Sequence, residues 1–215
     1  MKNNGDNIGF NLKIILLAAG KSERFKGIKL LAKAHQDNSI TLIQHVLQQI
    51  SASMNTLIIN ESNLYVATGI YHPQIAEFIG EQFSPNFCEH AGKGMGHTIA
   101  QSVKDVLKDN DNTTHIMITL ADQIALTSDN YIHLIKESLT APDKLICAKV
   151  GDEIMPPAIF PSDYFADLMT LQGDKGAKPL LHANKINLQK ISMPNAAIDI
   201  DTPQDLIRWY RNNRS

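Results

Sequence analysis

The segment KIILLAAGKSERFKGIK, residues 13–29, joins a continuous apolar run to a basic loop. The run 13–19 has the character of a strand that is buried on both faces, which is typical of parallel sheets covered by helices. Gly20 ends the run, and four basic side chains follow within nine residues. Because ligands of open α/β sheets bind at the carboxyl ends of the strands, this loop is a candidate ligand site.

Strand-like and helix-like segments alternate along the rest of the chain. Further strand patterns cover 56–60, 64–68, 115–121, 144–150, 157–160 and 197–201. Helical spacing of apolar residues covers 41–50, 72–79, 97–108, 130–139, 163–171, 176–183 and 202–211. This order predicts a single-domain three-layer α/β/α sandwich with a mainly parallel, Rossmann-like sheet. We expect residues 1–11 to form a flexible tail and residues 12–215 to form the domain.

The composition excludes several classes of protein. The chain has 215 residues, of which 43% are hydrophobic and 20% charged, as in an ordinary globular domain. A net charge of −2 argues against broad binding to nucleic acid or to anionic membranes. The two cysteines, Cys88 and Cys147, lie outside any Cys-x-x-Cys pattern. With no apolar signal segment or membrane-length apolar run, the sequence predicts a cytoplasmic protein.

The first loop has the chemistry of a phosphate site. Gly20 permits a sharp turn, and the backbone N–H groups of 20–28 can form an anion-binding nest. Arg24 and Lys29 add positive charge, and arginine can hold a phosphate with two hydrogen bonds. The alternative is a solvated basic surface loop. A P-loop is excluded, because its first glycine would fall on Ile15.

Acidic residues follow two other predicted strands. Asp122 comes directly after the strand 115–121, as a magnesium-binding carboxylate or as the start of an Asx turn. Asp199 and Asp201 alternate with Ile200, so both would face the same side of a regular strand. We expect one of them to be a second metal ligand and favour Asp199, because Asp201 adjoins the Thr202 cap of the last helix.

The segment LQGDKGAK, residues 171–178, places two glycines around an acidic and a basic residue. Gly176 would let the backbone approach a ligand, and the N-terminus of the following helix could bind an anion. Lys175 and Lys178 add charge to the same end. The alternative is a helix cap with solvated lysines.

Five segments together resemble one family of enzymes. LLAAGKSERFKGIKLL (16–31) is similar to the signature loop of sugar-nucleotide and cofactor nucleotidyltransferases, and closest to that of the molybdenum cofactor cytidylyltransferases. GKGMGHTIAQSV, ITLADQIALT, LQGDKGAKPLL and DIDTPQDL resemble further family segments, in the family's order. There are departures: Ile124 stands where the family has proline, and Met155-Pro156-Pro157 replaces a segment that often reads Gly-His-Pro.

The resemblance implies roles for individual residues. The fold would be that of nucleotide-diphospho-sugar transferases. The nucleotide would be bound by Leu17, Ala18, Ala19, Gly20, Arg24, Lys29, Gly94, Met95, Gly96 and Asp122. Catalysis would depend on Lys29, Arg24 and Asp122, with Mg²⁺ held by Asp122 and by Asp199 or Asp201. The acceptor would be bound by Lys175, Gly176 and Lys178, with Asp174 ordering their loop.

The implied reaction transfers CMP from CTP to the molybdopterin-bound molybdenum cofactor and releases pyrophosphate, with a molybdoenzyme as the recipient of the product. Ala19 favours CTP, because guanylyl relatives tend to carry glycine at that position. Two alternatives stay open. The acceptor could be a sugar phosphate, choline phosphate or another small phosphorylated molecule, or the protein could deliver a cofactor without turnover.

Overall fold

The computed structural model describes residues 9–36, 39–80, 83, 85–108 and 112–213. The strands of the described chain are β1 Leu12–Ala18, β2 Leu64–Thr68, β3 Pro85–Phe87, β4 His115–Leu120, β5 Leu145–Val150, β6 Glu153–Pro161 and β7 Leu188–Ser192. The α-helices are α1 Leu42–Thr56, α2 His72–Ile79, α3 Met95–Val106, α4 Ser128–Thr140, α5 Phe165–Leu168, α6 Lys178–Ala183 and α7 Pro203–Asn212.

The strands form one sheet in the order β3-β2-β1-β4-β6-β5-β7. The pairs β1–β2, β1–β4, β2–β3 and β5–β7 are parallel, whereas β6 runs antiparallel to both β4 and β5. The predicted α/β fold with a mainly parallel sheet is therefore confirmed. The carboxyl ends of β1, β2 and β4 meet at one edge of the sheet.

Two apolar cores cover the two faces of the sheet. Alternate residues of β1 explain this, because Ile14 and Leu16 pack with α1 and α4 whereas Ile15 and Leu17 pack with α3. α2 joins the first layer through Ile75, and α5 and α6 join the second. From Ile14 to Ala18 the strand is apolar at every position and buried on both faces, as the sequence predicts.

Helix ends follow the local sequence. Thr41 caps α1, with Gln44 closing a reciprocal capping box. Thr202 caps α7 in the same way, with Pro203 at the first helical position and Asp205 at the third.

The strand predicted at 56–60 is wrong. α1 continues to Thr56 because Met54 extends the buried stripe of Val46 and Ile50 by one more helical turn. The chain then turns through Ile58, which has a φ of 57° and is almost fully exposed.

The strand predicted at 197–201 is also wrong. A short 3₁₀ turn, Pro194–Ala197, precedes an irregular segment, which is tied to the end of β4 by the Ile200 N–H that donates to the Asp122 carbonyl (3.1 Å). β3 and β7 lie at the edges of the sheet, where partial exposure removes the apolar pattern by which buried strands are recognised.

The domain begins before residue 12. Residues 1–8 of the predicted tail lie outside the described residues. Phe10 packs on the His115 ring (centroids 4.4 Å apart), and the Asn11 carbonyl accepts from the Thr114 N–H, so these residues belong to the fold. Within the described ranges, no helix combines the length and the apolar character needed to cross a membrane.

Candidate active site

A cavity of about 700 Å³ opens at the carboxyl ends of β1 and β4. Eleven of the predicted site residues line it: Leu17, Ala18, Ala19, Gly20, Arg24, Lys29, Gly94, Met95, Asp122, Asp174 and Asp201. Its wall also contains residues that the sequence did not single out: Lys21, Ser22, Glu23, Leu30, Ala91, Gly92, Lys93, Thr98 and Leu120. The first loop, Asp122 and part of the turn 94–96, which we call the glycine turn, therefore share one cavity.

The first loop is held in place at several points. Ser22 and Lys26 adopt left-handed conformations (φ 54° and 55°), and the Ser22 hydroxyl accepts from the Lys29 N–H (3.2 Å). Phe25 packs against a small cluster that contains Ile124. These contacts turn the loop back to Lys29, which starts the 3₁₀ turn Lys29–Leu31.

A chain of ion pairs crosses this site. The Lys29 ammonium donates to Asp122 Oδ2 at 2.6 Å and to Asp201 Oδ1 at 3.0 Å. Arg24 Nη2 donates to the second oxygen of Asp201, Oδ2, at 2.6 Å. We call Arg24, Asp201, Lys29 and Asp122 the charged quartet. It joins the two cations predicted to bind phosphate to two of the carboxylates predicted to bind metal.

The quartet keeps Lys29 charged. Burial on its own would lower the pKa of Lys29, but Asp122 and Asp201 outweigh burial and raise this pKa above its ordinary value. The side chain is therefore an ammonium throughout the neutral pH range. Folding raises the pKa of Lys29, so these ion pairs stabilise the fold fully at pH values below the pKa of Lys29 in the unfolded chain. The stabilisation is lost as the pH rises through the pKa of Lys29 in the folded protein.

Asp122 is fixed by the turn that follows β4. Its neighbour Gln123 is buried, and the Gln123 amide donates to the carbonyls of Pro156 and Ala196, each at 2.8 Å. Together with the bond from the Ile200 N–H to Asp122, these contacts hold the segment that leads to Asp201 against the end of β4. Two carboxylates far apart in sequence are thereby brought together.

Asp201, rather than the favoured Asp199, shares the cavity with Asp122. The sequence favours Asp199 because Asp201 adjoins the cap of the last helix, but Thr202 caps α7 with its own side chain and leaves the Asp201 carboxylate to accept from Lys29. Asp199 lines a second cavity next to α7, which it shares with Arg24 and Asp201. Burial, and then the negative charges of Asp201 and Asp122, raise the pKa of Asp199.

The glycine turn packs directly on the segment 172–176. The Gly96 N–H donates to the Gly173 carbonyl (2.7 Å), and the Gly173 N–H donates to His97 Nδ1 (3.2 Å). Gly94 has a φ of 115°, and a Cβ there would lie 2.4 Å from Asp174 Oδ1. Asp174 therefore faces the same cavity as the first loop, so this part of the predicted acceptor segment adjoins the predicted nucleotide site.

Other residues of the predicted acceptor segment lie outside the cavity wall. Lys178 forms an exposed ion pair with Glu153 (2.7 Å). Gly176 lies under Met95, where a Cβ would approach the methionine sulphur to 2.7 Å. Lys175 is exposed and does not line the cavity. The charge of Lys178 is thus already paired within the fold.

We expect Gly96→Ala to loosen the contact between the glycine turn and the segment 172–176. The new methyl group would meet the backbone of Gln172 at 2.6–2.8 Å, and a backbone cannot yield as a flexible side chain would. Overpacking of this kind costs roughly 1–3 kcal/mol. Thermal unfolding measures the loss, and Gly92→Ala is the control, since a Cβ there meets no atom within 4 Å. Equal melting temperatures for the two variants would contradict the close packing.

The residues present fit a divalent cation at Asp122 and Asp201. Asp122 Oδ1 is buried and has no hydrogen-bond partner, so a cation that displaced Lys29 would satisfy it. Across the described ranges, no group of three or more His, Cys, Asp or Glu side chains forms a complete metal cage. Two carboxylates completed by substrate phosphates are the arrangement that Mg²⁺ commonly uses.

The chain is similar to known proteins in sequence and in fold. A family model described as a MobA-like NTP transferase domain matches residues 14–189. Purine catabolism protein PucB of Bacillus subtilis (strain 168) is 28% identical over 200 residues, covering 90% of this chain and 94% of PucB.

Solved structures share the fold at low sequence identity. Rv0371c from Mycobacterium tuberculosis H37Rv has a TM-score of 0.73 at 20% identity, covering 94% of this chain and 99% of that one. A structure of Rv0371c in complex with manganese has a TM-score of 0.71 at 18% identity, covering 94% and 98%. Molybdopterin-guanine dinucleotide biosynthesis protein A from Archaeoglobus fulgidus has a TM-score of 0.63 at 16% identity, covering 93% and 97%.

Proposed function

Because the chain belongs to the MobA-like NTP transferase family, we propose that it transfers CMP from CTP to the molybdopterin-bound molybdenum cofactor and releases pyrophosphate. The observation that carries this proposal is the charged quartet in the cavity. It combines two side chains suited to phosphate with two carboxylates suited to a divalent metal.

In this reaction an oxygen of the acceptor's terminal phosphate forms a bond to the α-phosphorus of CTP. The bond from that phosphorus to the bridging oxygen of the pyrophosphate breaks, and the electron pair leaves with pyrophosphate. The acceptor phosphate is already ionised at neutral pH. The protein therefore has to align the two phosphates and neutralise their charge, which are its main routes to rate enhancement here.

Each part of the cavity has a role in that alignment. The backbone of 17–20 receives the base and ribose, and the loop that follows holds the triphosphate. Arg24, which is largely exposed, is free to turn toward the phosphates. Lys29 stabilises the charge that develops on the leaving pyrophosphate. Lys21 and Lys93 lie on the same cavity wall and add positive charge.

Asp122 and Asp201 are the residues that would hold Mg²⁺. When bound, this ion would supply charge neutralisation on the phosphates. The support lies in the unpartnered Asp122 Oδ1 and in the position of Asp201 across Lys29 from Asp122.

Fewer observations support the choice of CTP and of the acceptor than support nucleotidyl transfer itself. Ala19 lines the cavity, and it stands where guanylyl relatives tend to carry glycine, which favours CTP. The Archaeoglobus structure is described as a molybdopterin-guanine dinucleotide biosynthesis protein, which supports a pterin acceptor. Asp174 would order the acceptor side, with Lys175 and Lys178 beside it.

Pyrophosphate release with a panel of substrates tests the proposal. The purified protein is incubated with Mg²⁺ and each of CTP, GTP, ATP and UTP, with and without molybdenum cofactor. We expect release with CTP and cofactor together to exceed every other combination. Equal rates with a sugar phosphate or choline phosphate would reassign the acceptor. Tight nucleotide binding without release under any combination would favour the non-catalytic delivery role.

A further inference from the structure

The Lys29 ammonium occupies the space between two carboxylates. Its nitrogen lies 2.6 Å from Asp122 Oδ2 and 3.0 Å from Asp201 Oδ1. The Lys29 side chain is only 11% exposed, so this pairing is not a loose surface contact. Asp122 and Asp201 are also the residues that would hold a divalent cation. The lysine therefore stands where the metal would bind.

The remaining carboxylate oxygens do not offer an open site either. Arg24 donates to Asp201 Oδ2 at 2.6 Å. Asp122 Oδ1 is buried, with no hydrogen-bond partner. Three of the four oxygens are thus engaged by cationic side chains, and the fourth is screened from solvent. A free cation in solution would have to displace Lys29 before Asp122 and Asp201 could hold it.

We propose that the Lys29 ammonium pairs with Asp122 and Asp201 in the nucleotide-free protein, in the place of the metal, and that it releases both carboxylates when metal and nucleotide bind together. We call this the placeholder role of Lys29. Lys29 lines the cavity, so its ammonium can turn from the carboxylates to the triphosphate. This exchange leaves no buried charge unpaired at either stage, whereas losing one partner of a buried pair is costly. The inference rests on the proposed function for the identity of the nucleotide.

Two consequences follow from this exchange. Metal alone binds weakly, because it competes with a hydrogen-bonded ammonium. Metal and nucleotide each improve the binding of the other, since the nucleotide supplies phosphates that take over Lys29. Lys29 then has two roles at different stages, as a placeholder for the cation and as a phosphate-binding residue.

Binding of Mn²⁺ in the absence of nucleotide tests the placeholder role, with the free Mn²⁺ signal followed by electron paramagnetic resonance. We expect Lys29→Met to bind Mn²⁺ roughly tenfold or more tightly than the original protein, because hydrogen bonds to a charged group no longer have to be broken. Lys93→Met is the matched control, since Lys93 is a cation of the same cavity, whereas the described ion pairs of Asp122 and Asp201 involve Lys29 and Arg24. Lys93→Met should tighten Mn²⁺ binding by a few-fold at most. The double variant Lys29→Met with Asp122→Asn should not bind Mn²⁺ more tightly than the original protein.

Equal gains in Lys29→Met and Lys93→Met would overturn the proposal, because they would show only a general change of charge. Loss of Mn²⁺ binding in Lys29→Met would overturn it as well. Circular dichroism checks that the variant is folded, and Lys29→Gln replaces it if it is not. The pyrophosphate panel is a separate measurement. If Lys29→Met gains Mn²⁺ affinity but the original protein releases no pyrophosphate with any substrate, the proposed reaction is wrong and the placeholder role of Lys29 is still supported.

Discussion

Asp122→Asn abolishes nearly all turnover while the protein stays folded. An amide has the shape of the carboxylate but lacks the negative charge that a divalent cation needs. We expect kcat to fall by about 100-fold or more, as for the loss of other groups that stabilise transition-state charge. The fold should persist because the hydrogen bonds that fix this turn involve the Asp122 carbonyl and the Gln123 side chain, which are unchanged.

Steady-state rates at saturating Mg²⁺ measure this loss, and thermal unfolding checks the fold. Asp152→Asn is the control, because the same chemical change then falls on the exposed turn between β5 and β6. Asp199→Asn and Asp201→Asn tell the two remaining carboxylates apart, and the larger loss is expected at Asp201. Turnover of Asp122→Asn within a few-fold of the original rate would rule out the metal role of Asp122.

Lys29→Ala lowers kcat more than it weakens nucleotide binding. The ammonium acts mainly on charge that develops as pyrophosphate leaves, and such an interaction is realised in the transition state. We expect a loss of about 100-fold in kcat. In the nucleotide-free protein Lys29 is an ammonium, because Asp122 and Asp201 raise the pKa of its side chain.

Single-turnover rates and nucleotide dissociation constants separate the two effects. Lys33→Ala serves as the control, since Lys33 is exposed and lies outside the cavity wall. A weaker nucleotide affinity with an unchanged rate constant would make Lys29 a simple binding residue and contradict its role in the chemical step.

The sequence predicts the centre of this fold better than its edges. β1 is recognisable because every residue from Ile14 to Ala18 faces one of two cores, so the apolar run there is unbroken. The edge strands β3 and β7 contain only a few apolar residues, so the sequence pattern does not predict them. At 56–60, an apolar pattern typical of a strand was overridden by the continuing stripe of α1, which ends on Met54.

The sequence likewise predicts some residues of the candidate site but not how they pair. Arg24, Lys29 and Asp122 are identifiable because they lie in the segments that follow buried strands, where ligands of such sheets bind. The pairing of Lys29 with Asp122 and Asp201 spans 93 and 172 positions of sequence, and no local pattern encodes it. The choice of Asp201 over Asp199 depends on an irregular segment whose sequence resembles a strand.

Isotope transfer from CTP tests nucleotidyl transfer most directly. The protein is incubated with Mg²⁺, molybdenum cofactor and CTP labelled with ³²P at either the α or the γ position, and the products are separated. Transfer of CMP predicts that the α label appears in the cofactor product and that the γ label appears in pyrophosphate. Appearance of the γ label on the cofactor, or of the α label only in free CMP, would contradict it.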